Sequence, residues 1–179
     1  NVFHANGGSA SFSVMANTLR GVYGTDVLLA TANSFTGSVL RADYNKKMAA
    51  FMIMPNGLMS RQRTMTGAEL KETVRAFVEG GFVPFNRGSL PVVSGIAVEV
   101  KEAGGSYTLT GITRNGQPLG DDDTVTVTCL AAENQMEALL ASESGRSLDG
   151  DTWVKNRWRD HLSGGGAALA EPENYMTLR

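Results

Sequence analysis

The segment TMTGAELKETVRAFVEGG constrains the fold most. Thr66 followed three residues later by Glu69 is a capping box: the hydroxyl accepts from the third helical N–H while the carboxylate accepts from the cap's own N–H. Leu70, Val74, Phe77 and Val78 then recur at helical spacing, and Gly80-Gly81 ends the run. A helix whose start and stop are both written locally must lay its apolar stripe on something. Its surroundings read as strands. LMSRQRTM precedes it; GIAVEV, YTLTGITR and TVTVTCL follow. Gly104-Gly105 separates the first two of these, and NGQPLGDDD, with its Asn115-Gly116 turn dipeptide, separates the second and third. The expected class is therefore α/β in the mixed α+β sense, with one or two small mixed sheets flanked by helices.

The rest of the chain extends this pattern. Phe12, Met15, Ala16, Leu19, Val22 and Tyr23 share one face of a helix that Ser9 or Ser11 can cap and Gly24 can end. DVLLATA reads as a buried strand, and TANSFTGSVLRADY is the loop that leaves it. YNKKMAAFMIMP is a short helix stopped by Pro55, and FVPFNRGSLP is a loop. AENQMEALLA and DTWVKNRWRDHL are helix candidates, the latter with Val154, Trp158 and Leu162 at i, i+4 and i+8. SGGGAALAEPE is a flexible connector, and YMTLR is a last edge strand. Residues 1–11 are expected to be a tail or linker, and residues 12–179 one domain, a size that supports a real core.

Composition excludes several function classes. Net charge is −2 with no basic stripe, so nucleic acid is not an expected partner. The longest apolar run, KKMAAFMIMP, is too short to span a bilayer. Cys129 is the single cysteine, so no internal disulfide forms, and it reads as a small buried residue. NVFHANGGSA has no basic start or apolar core of a signal peptide and does not begin with Met, which suggests a mature fragment or an excised domain.

Catalytic constellations are missing. The two histidines, His4 and His161, stand far apart, and no paired-cysteine or DxH spacing occurs, so no metal site is expected in this chain. Three adjacent aspartates at 121–123 do not make the alternating loop calcium needs and read as a solvated turn. No G-x-S-x-G is present. NGGSAS and SGGGA follow no strand and carry no P-loop lysine, so both are connectors. Arg61 and Arg63 share a face of one strand; they suit a phosphate or carboxylate, or else the solvated charges of an edge strand.

Taken in order, TDVLLATANSFTGSVLRADY, MPNG, TMTGAELKETVRAFVEGG, VVSGIAVEV and GITRNGQPL with TVTVTCL resemble the C-terminal domain of the 5′-nucleotidase family. The resemblance covers residues 11–178. In that family an N-terminal metallophosphatase domain holds two divalent metal ions and performs the hydrolysis, while the C-terminal domain grips base and ribose. The resemblance therefore implies a substrate-binding domain that needs no cofactor of its own and is inactive alone. Its expected partners are a nucleotide or other phosphate ester and the metallophosphatase domain of the same protein. It also implies an extracellular, periplasmic or bacterial cell-surface setting.

Matched residue by residue, Asn33 and Arg41 correspond to the family's loop Asn and Arg, which hold ribose hydroxyls or the phosphate side. Ser34-Phe35-Thr36-Gly37 stands where the family has Gly-Gly, and Asn56 stands where a base-stacking aromatic follows Leu-Pro. LAAENQMEAL, which reads as a helix start, replaces a Gly-Gly-Asp-Gly loop that brings a second stacking Phe. Stacking contributes about 1–3 kcal/mol per base, so another ring must compensate if nucleotide is bound tightly. Phe35, Tyr44, Phe82 and Phe85 are the candidate rings, with Phe35 or Phe85 as the apolar wall, and all are equally suited to packing. The alternative is a non-catalytic structural or binding module of a bacterial surface protein, with the fold kept and the nucleotide pocket degenerate.

Overall fold

The capping box forms as the spacing predicts. In the computed structural model, which describes residues 10–31, 58–79, 91–132, 146–147, 154–163, 170 and 173–179, Thr66 Oγ1 accepts from Glu69 N at 3.2 Å and Glu69 Oε2 accepts from Thr66 N at 2.8 Å. The described elements are α1 (Ala10–Tyr23), β1 (Val27–Thr31), β2 (Leu58–Thr66), α2 (Gly67–Val78), β3 (Pro91–Ser94), β4 (Ala97–Ala103), β5 (Ser106–Arg114), β6 (Gln117–Pro118), β7 (Thr124–Ala132), β8 (Arg146–Ser147), α3 (Val154–Ser163) and β9 (Met176–Leu178). They build a five-stranded sheet in the order β3-β1-β7-β2-β8 and a four-stranded sheet in the order β6-β5-β4-β9. The mixed α+β class is thus as expected. Both sheets are mixed: β1 runs parallel to β7, and β9 parallel to β4, while the other pairs are antiparallel.

Side-chain alternation along β2 shows how the layers stack. Gln62 Nε2 donates to Tyr23 O at the end of α1, at 3.0 Å. The next residue, Arg63, pairs with Glu69 of α2 at 2.6 Å. Successive side chains of a strand point to opposite faces, so α1 and α2 lie on opposite faces of the larger sheet. The α3 helix packs against both α1 and β2, and α2 also touches β5, which wedges it between the two sheets. The core is continuous across these layers, from Leu19 and Leu29 through Met65 and Phe77 to Val98 and Trp158.

Helix α1 is buried more completely than its stripe predicts, because every residue from Phe12 to Leu19 is enclosed. The two hydroxyl residues that face the C-terminal segment are occupied. Ser13 Oγ accepts from Glu173 N at 2.8 Å and donates to Glu173 O at 2.9 Å. Thr18 Oγ1 accepts from Ala170 N at 3.0 Å and donates to Val14 O at 2.7 Å. The hydroxyls on the outer side of α1 therefore hold the C-terminal segment. Gly24 ends the helix in the left-handed conformation, φ 65°, with its N–H on Arg20 O at 2.9 Å, as its position suggests. Ser11 lies inside the helix rather than capping it, and Ser9 lies outside the described residues.

Other readings need correction. β2 is no edge strand: it pairs with β7 along its length and carries β8 on its other side at Arg61 and Gln62. β3 was not anticipated. Its four residues follow a loop reading and begin with a proline, yet all are buried, and β3 belongs to one sheet while β4, immediately after it, belongs to the other. Gly95, φ 83°, makes that crossing. The strand TVTVTCL runs on through Ala131 and Ala132, so the first residues of LAAENQMEAL are strand rather than helix. The remainder of that segment, YNKKMAAFMIMP and the connector at 164–169 lie outside the described residues. YMTLR does form an edge strand, β9.

The acidic turn is an exposed turn with a second role. Asp123 Oδ2 accepts from Gly120 N at 2.8 Å. The main-chain carbonyls of Asp123 and Asp121 accept from Gly67 N and Ala68 N, at 2.7 and 3.0 Å. These are two of the N–H groups a helix start leaves without partners. The turn before β7 therefore docks the start of α2.

Candidate functional site

Strand register brings four chain positions to one edge of the larger sheet. Thr31, the last residue of β1, pairs with Pro91, the first of β3. Leu58, the first of β2, pairs with Ala132, the last of β7. β1 and β7 are parallel neighbours with Ala30 beside Leu130, so all four positions lie at the carboxyl ends of the two parallel strands. The region just beyond such ends, where adjacent connections diverge, is where open mixed sheets bind ligands. The segments 32–57, 80–90 and 133–145 all attach at this edge.

The opposite end of β1 has a different character. A cleft of about 400 Å³ opens there, between the end of α1, the β3–β4 crossing and the β5–β6 turn. Asp26 sits at its base. Its Oδ2 accepts from Thr126 N and Thr126 Oγ1, both at 2.8 Å, and its Oδ1 accepts from Arg114 Nη2 at 2.6 Å. The Thr126 backbone N–H above all, then its hydroxyl and the Arg114 and Arg20 charges, hold this carboxyl below its ordinary value of 3.8, against a smaller opposing effect of burial. Glu69 is likewise held below 4.5, first by the Thr66 backbone N–H and then by Arg63 and the Thr66 hydroxyl. Both groups have folded values below their unfolded ones. The unfolded chain therefore binds more protons in acid, so the stability they supply is full above their ordinary values and is lost as pH falls through the depressed ones. Thermal unfolding followed from pH 5 downward is expected to show a midpoint that falls below about pH 4.5, and the Asp26→Asn/Glu69→Gln double variant a flatter profile. An identical slope in the variant would assign the acid sensitivity elsewhere.

Cys129 is fully buried, and desolvation pushes its thiol up to about 12, so it is an inert packing residue as read. Arg63 is paired with Glu69, so one of the two strand guanidinium groups already has a carboxylate partner. Among the described residues no group of three His, Cys, Asp or Glu side chains could hold a metal ion, and no helix is long and apolar enough to cross a membrane.

Solved structures align with almost the whole chain. NAD nucleotidase (NadN) of Haemophilus influenzae aligns with a TM-score of 0.71 at 16% identity, over 97% of this chain and 33% of its own. A 5′-nucleotidase precursor from Thermus thermophilus gives 0.68 at 16% identity, over 99% and 36%. The fold is that of the 5′-nucleotidase C-terminal domain. The sulfate thiohydrolase SoxB of Thermus thermophilus has the same 5′-nucleotidase-type fold, at 0.64 and 13% identity over 95% and 32%. The chain thus spans about a third of the length of the solved chains it matches. No family model matches the sequence, and no curated protein matches it by sequence.

On this 5′-nucleotidase-type fold, Asn33, Phe35, Arg41, Asn56 and Phe85 all lie outside the described residues. Asn33 follows β1 by two residues, Asn56 precedes β2 by two, and Phe85 lies in the segment entering β3. Their attachment points are Thr31, Leu58 and Pro91, three of the four positions at the shared edge. The residues of the opposite cleft, Arg20, Asp26 and Arg114, were not singled out by the sequence. They come from three segments up to 94 positions apart (114 − 20), and no local spacing joins them.

Proposed function

We propose that this domain binds and orients the substrate of a 5′-nucleotidase-like metallophosphoesterase. Hydrolysis would be performed by an N-terminal metallophosphatase domain of the same protein, using two divalent ions held there. The support is the fold, seen as a third of larger chains that include two nucleotidases. In this reading Asn33 and Arg41 hold the polar side of a nucleotide or related phosphate ester, and Phe35 or Phe85 forms the apolar wall. Asn56 lines the position where the family has an aromatic. A protein of this kind would work outside the cell, in the periplasm or on the bacterial surface. Substrate identity is not carried by the fold, since a sulfate thiohydrolase shares it.

The test is thermal unfolding of the chain with AMP, UMP and adenosine at millimolar concentration. Ligand at ten times its Kd stabilises by about 1.4 kcal/mol, which is a rise of about 3–6 °C for a domain of this size. Arg41→Ala is expected to abolish most of the rise with the phosphorylated ligands and to spare that with adenosine. No rise with any of the three would favour the second reading, a non-catalytic binding or structural module. Asn56 and LAAENQMEAL, standing in place of both stacking motifs, are the observations behind that reading.

A further inference from the structure

The cleft at the amino end of β1 lies away from the edge where the proposed substrate residues attach. Its construction is that of a binding site rather than of a packing defect. Arg20 is fixed by one hydrogen bond, Nε to Ser94 Oγ at 2.8 Å, and Ser94 is 1% exposed. Among the described residues that is the single hydrogen bond its guanidinium makes, so both terminal nitrogens are left with donors to offer. The nearby Asp26 carboxylate makes no hydrogen bond to them among the described residues. Asp26 already accepts from Arg114 on one oxygen and twice from Thr126 on the other.

The cleft is also kept open by backbone. Gly95 has φ 83°, and a Cβ there would stand 2.0 Å from Asp26 O and 3.2 Å from Arg20 Cδ. Any other residue would run into the Asp26 carbonyl and crowd the Arg20 side chain. The Asn115-Gly116 turn, with both residues in the left-handed region at φ 52° and 76°, lines the same cleft, and so does Asn174. Both Asn side chains are exposed at the rim and make no hydrogen bond among the described residues.

Charge then selects the ligand. Arg114 is neutralised by Asp26, which leaves Arg20 as the cation facing the space, with Glu173 exposed at the rim. One planar fork of donors matches the two oxygens of a carboxylate. A doubly charged phosphate would meet the same fork with Asp26 and Glu173 nearby as repelling neighbours. The volume, about 400 Å³, admits a small molecule rather than a single ion. We infer that this cleft is a binding site for a small carboxylate, held bidentately by Arg20, with Asn115 and Asn174 bonding the remainder of the molecule. The site is independent of nucleotide binding at the opposite edge.

The probe is sodium lactate, a singly charged carboxylate, titrated into the chain while amide ¹H–¹⁵N correlation spectra are recorded and chloride keeps ionic strength constant. Saturable shifts are expected at the Gly95, Asn115 and Gly116 amides, with Kd about 1 mM, as one charge-assisted fork supplies. Arg20→Gln is expected to raise Kd at least about tenfold, and Arg20→Lys to weaken binding too, because it keeps the charge and loses the fork. Asn174→Ala, an exposed change that leaves the fold alone, is expected to raise Kd about threefold, near 0.7 kcal/mol. Spectra of each variant report its folding directly. Absence of saturable shifts up to about 20 mM, roughly twenty times that Kd, overturns the inference. So do shifts that survive Arg20→Gln in a folded variant. Tighter binding of inorganic phosphate than of lactate overturns the choice of carboxylate.

Discussion

Gly67→Ala is expected to destabilise the domain by about 3 kcal/mol, the upper end of what overpacking costs. On helix propensity alone the change should help, since alanine is favoured over glycine by about 1 kcal/mol inside a helix. Position 67 reverses the sign. It opens α2, where its N–H donates to Asp123 O at 2.7 Å, and that bond draws the acidic turn against the helix. A Cβ on Gly67 would lie 1.8 Å from Gly120 O and 3.3 Å from Leu119 Cγ. The obstacle is backbone, so rotamer changes do not relieve it. Either the turn or the first turn of α2 must move, and the Thr66–Glu69 capping box beside it is disturbed in both cases. Gly21→Ala is the matched comparison: that glycine is exposed within α1, and a Cβ there meets nothing within 4 Å. It should stabilise by up to about 1 kcal/mol. Urea unfolding of the two variants separates the effects, and a Gly67→Ala protein as stable as the parent would refute the docking of the turn on α2.

Trp158→Ala is expected to cost about 3–5 kcal/mol, enough to leave many domains largely unfolded at 37 °C. Trp158 is fully buried with Val154 on the face of α3 that meets α1 and β2. That face is short, in a helix of ten residues. Isolated helices of this length are marginal in water, so α3 is held by its packing rather than by its own turns. Removing the indole takes away the largest side chain of the interface and leaves a cavity that α1, fixed on its other sides, cannot collapse to fill. Trp158→Phe keeps a ring there and should retain most of the stability. Far-UV circular dichroism through urea unfolding measures both, and a loss below about 1 kcal/mol for the alanine variant would show that α3 is peripheral.

The parts of the fold that were legible in the sequence are those decided within a few residues. Thr66 and Glu69 meet because a capping box is local, and Asn115-Gly116 turns because those residues tolerate positive φ. The stripe of α1 was legible too. Its near-complete burial was not, because that depends on Ala170 and Glu173 returning to Thr18 and Ser13. β3 was obscured for a similar reason. Four residues that begin with a proline carry little periodicity, and the change of sheet at Gly95 is set by how both sheets stand, not by the segment itself. The same holds for the sites. The order of loops could be read from the chain, and strand pairing then places Thr31, Leu58, Pro91 and Ala132 at one edge. The Arg20 cleft is made by tertiary packing and left no local trace.

The clamp between α1 and the C-terminal segment also bears on how the protein is made. Ser13 and Glu173 are 160 positions apart, and the central pairing of β1 with β7 joins residues 100 apart. At roughly 5–20 residues per second of synthesis, α1 waits about 8–30 s on the ribosome for the residues that enclose it. Through that interval its apolar stripe and the unpaired margin of β1 are open to chaperones or to misassociation. Structure dominated by such distant partners also folds slowly once complete, in milliseconds to seconds rather than microseconds. Newly made chains should therefore be more sensitive to proteases and to crowding than the finished domain, and most of all before β7 has emerged.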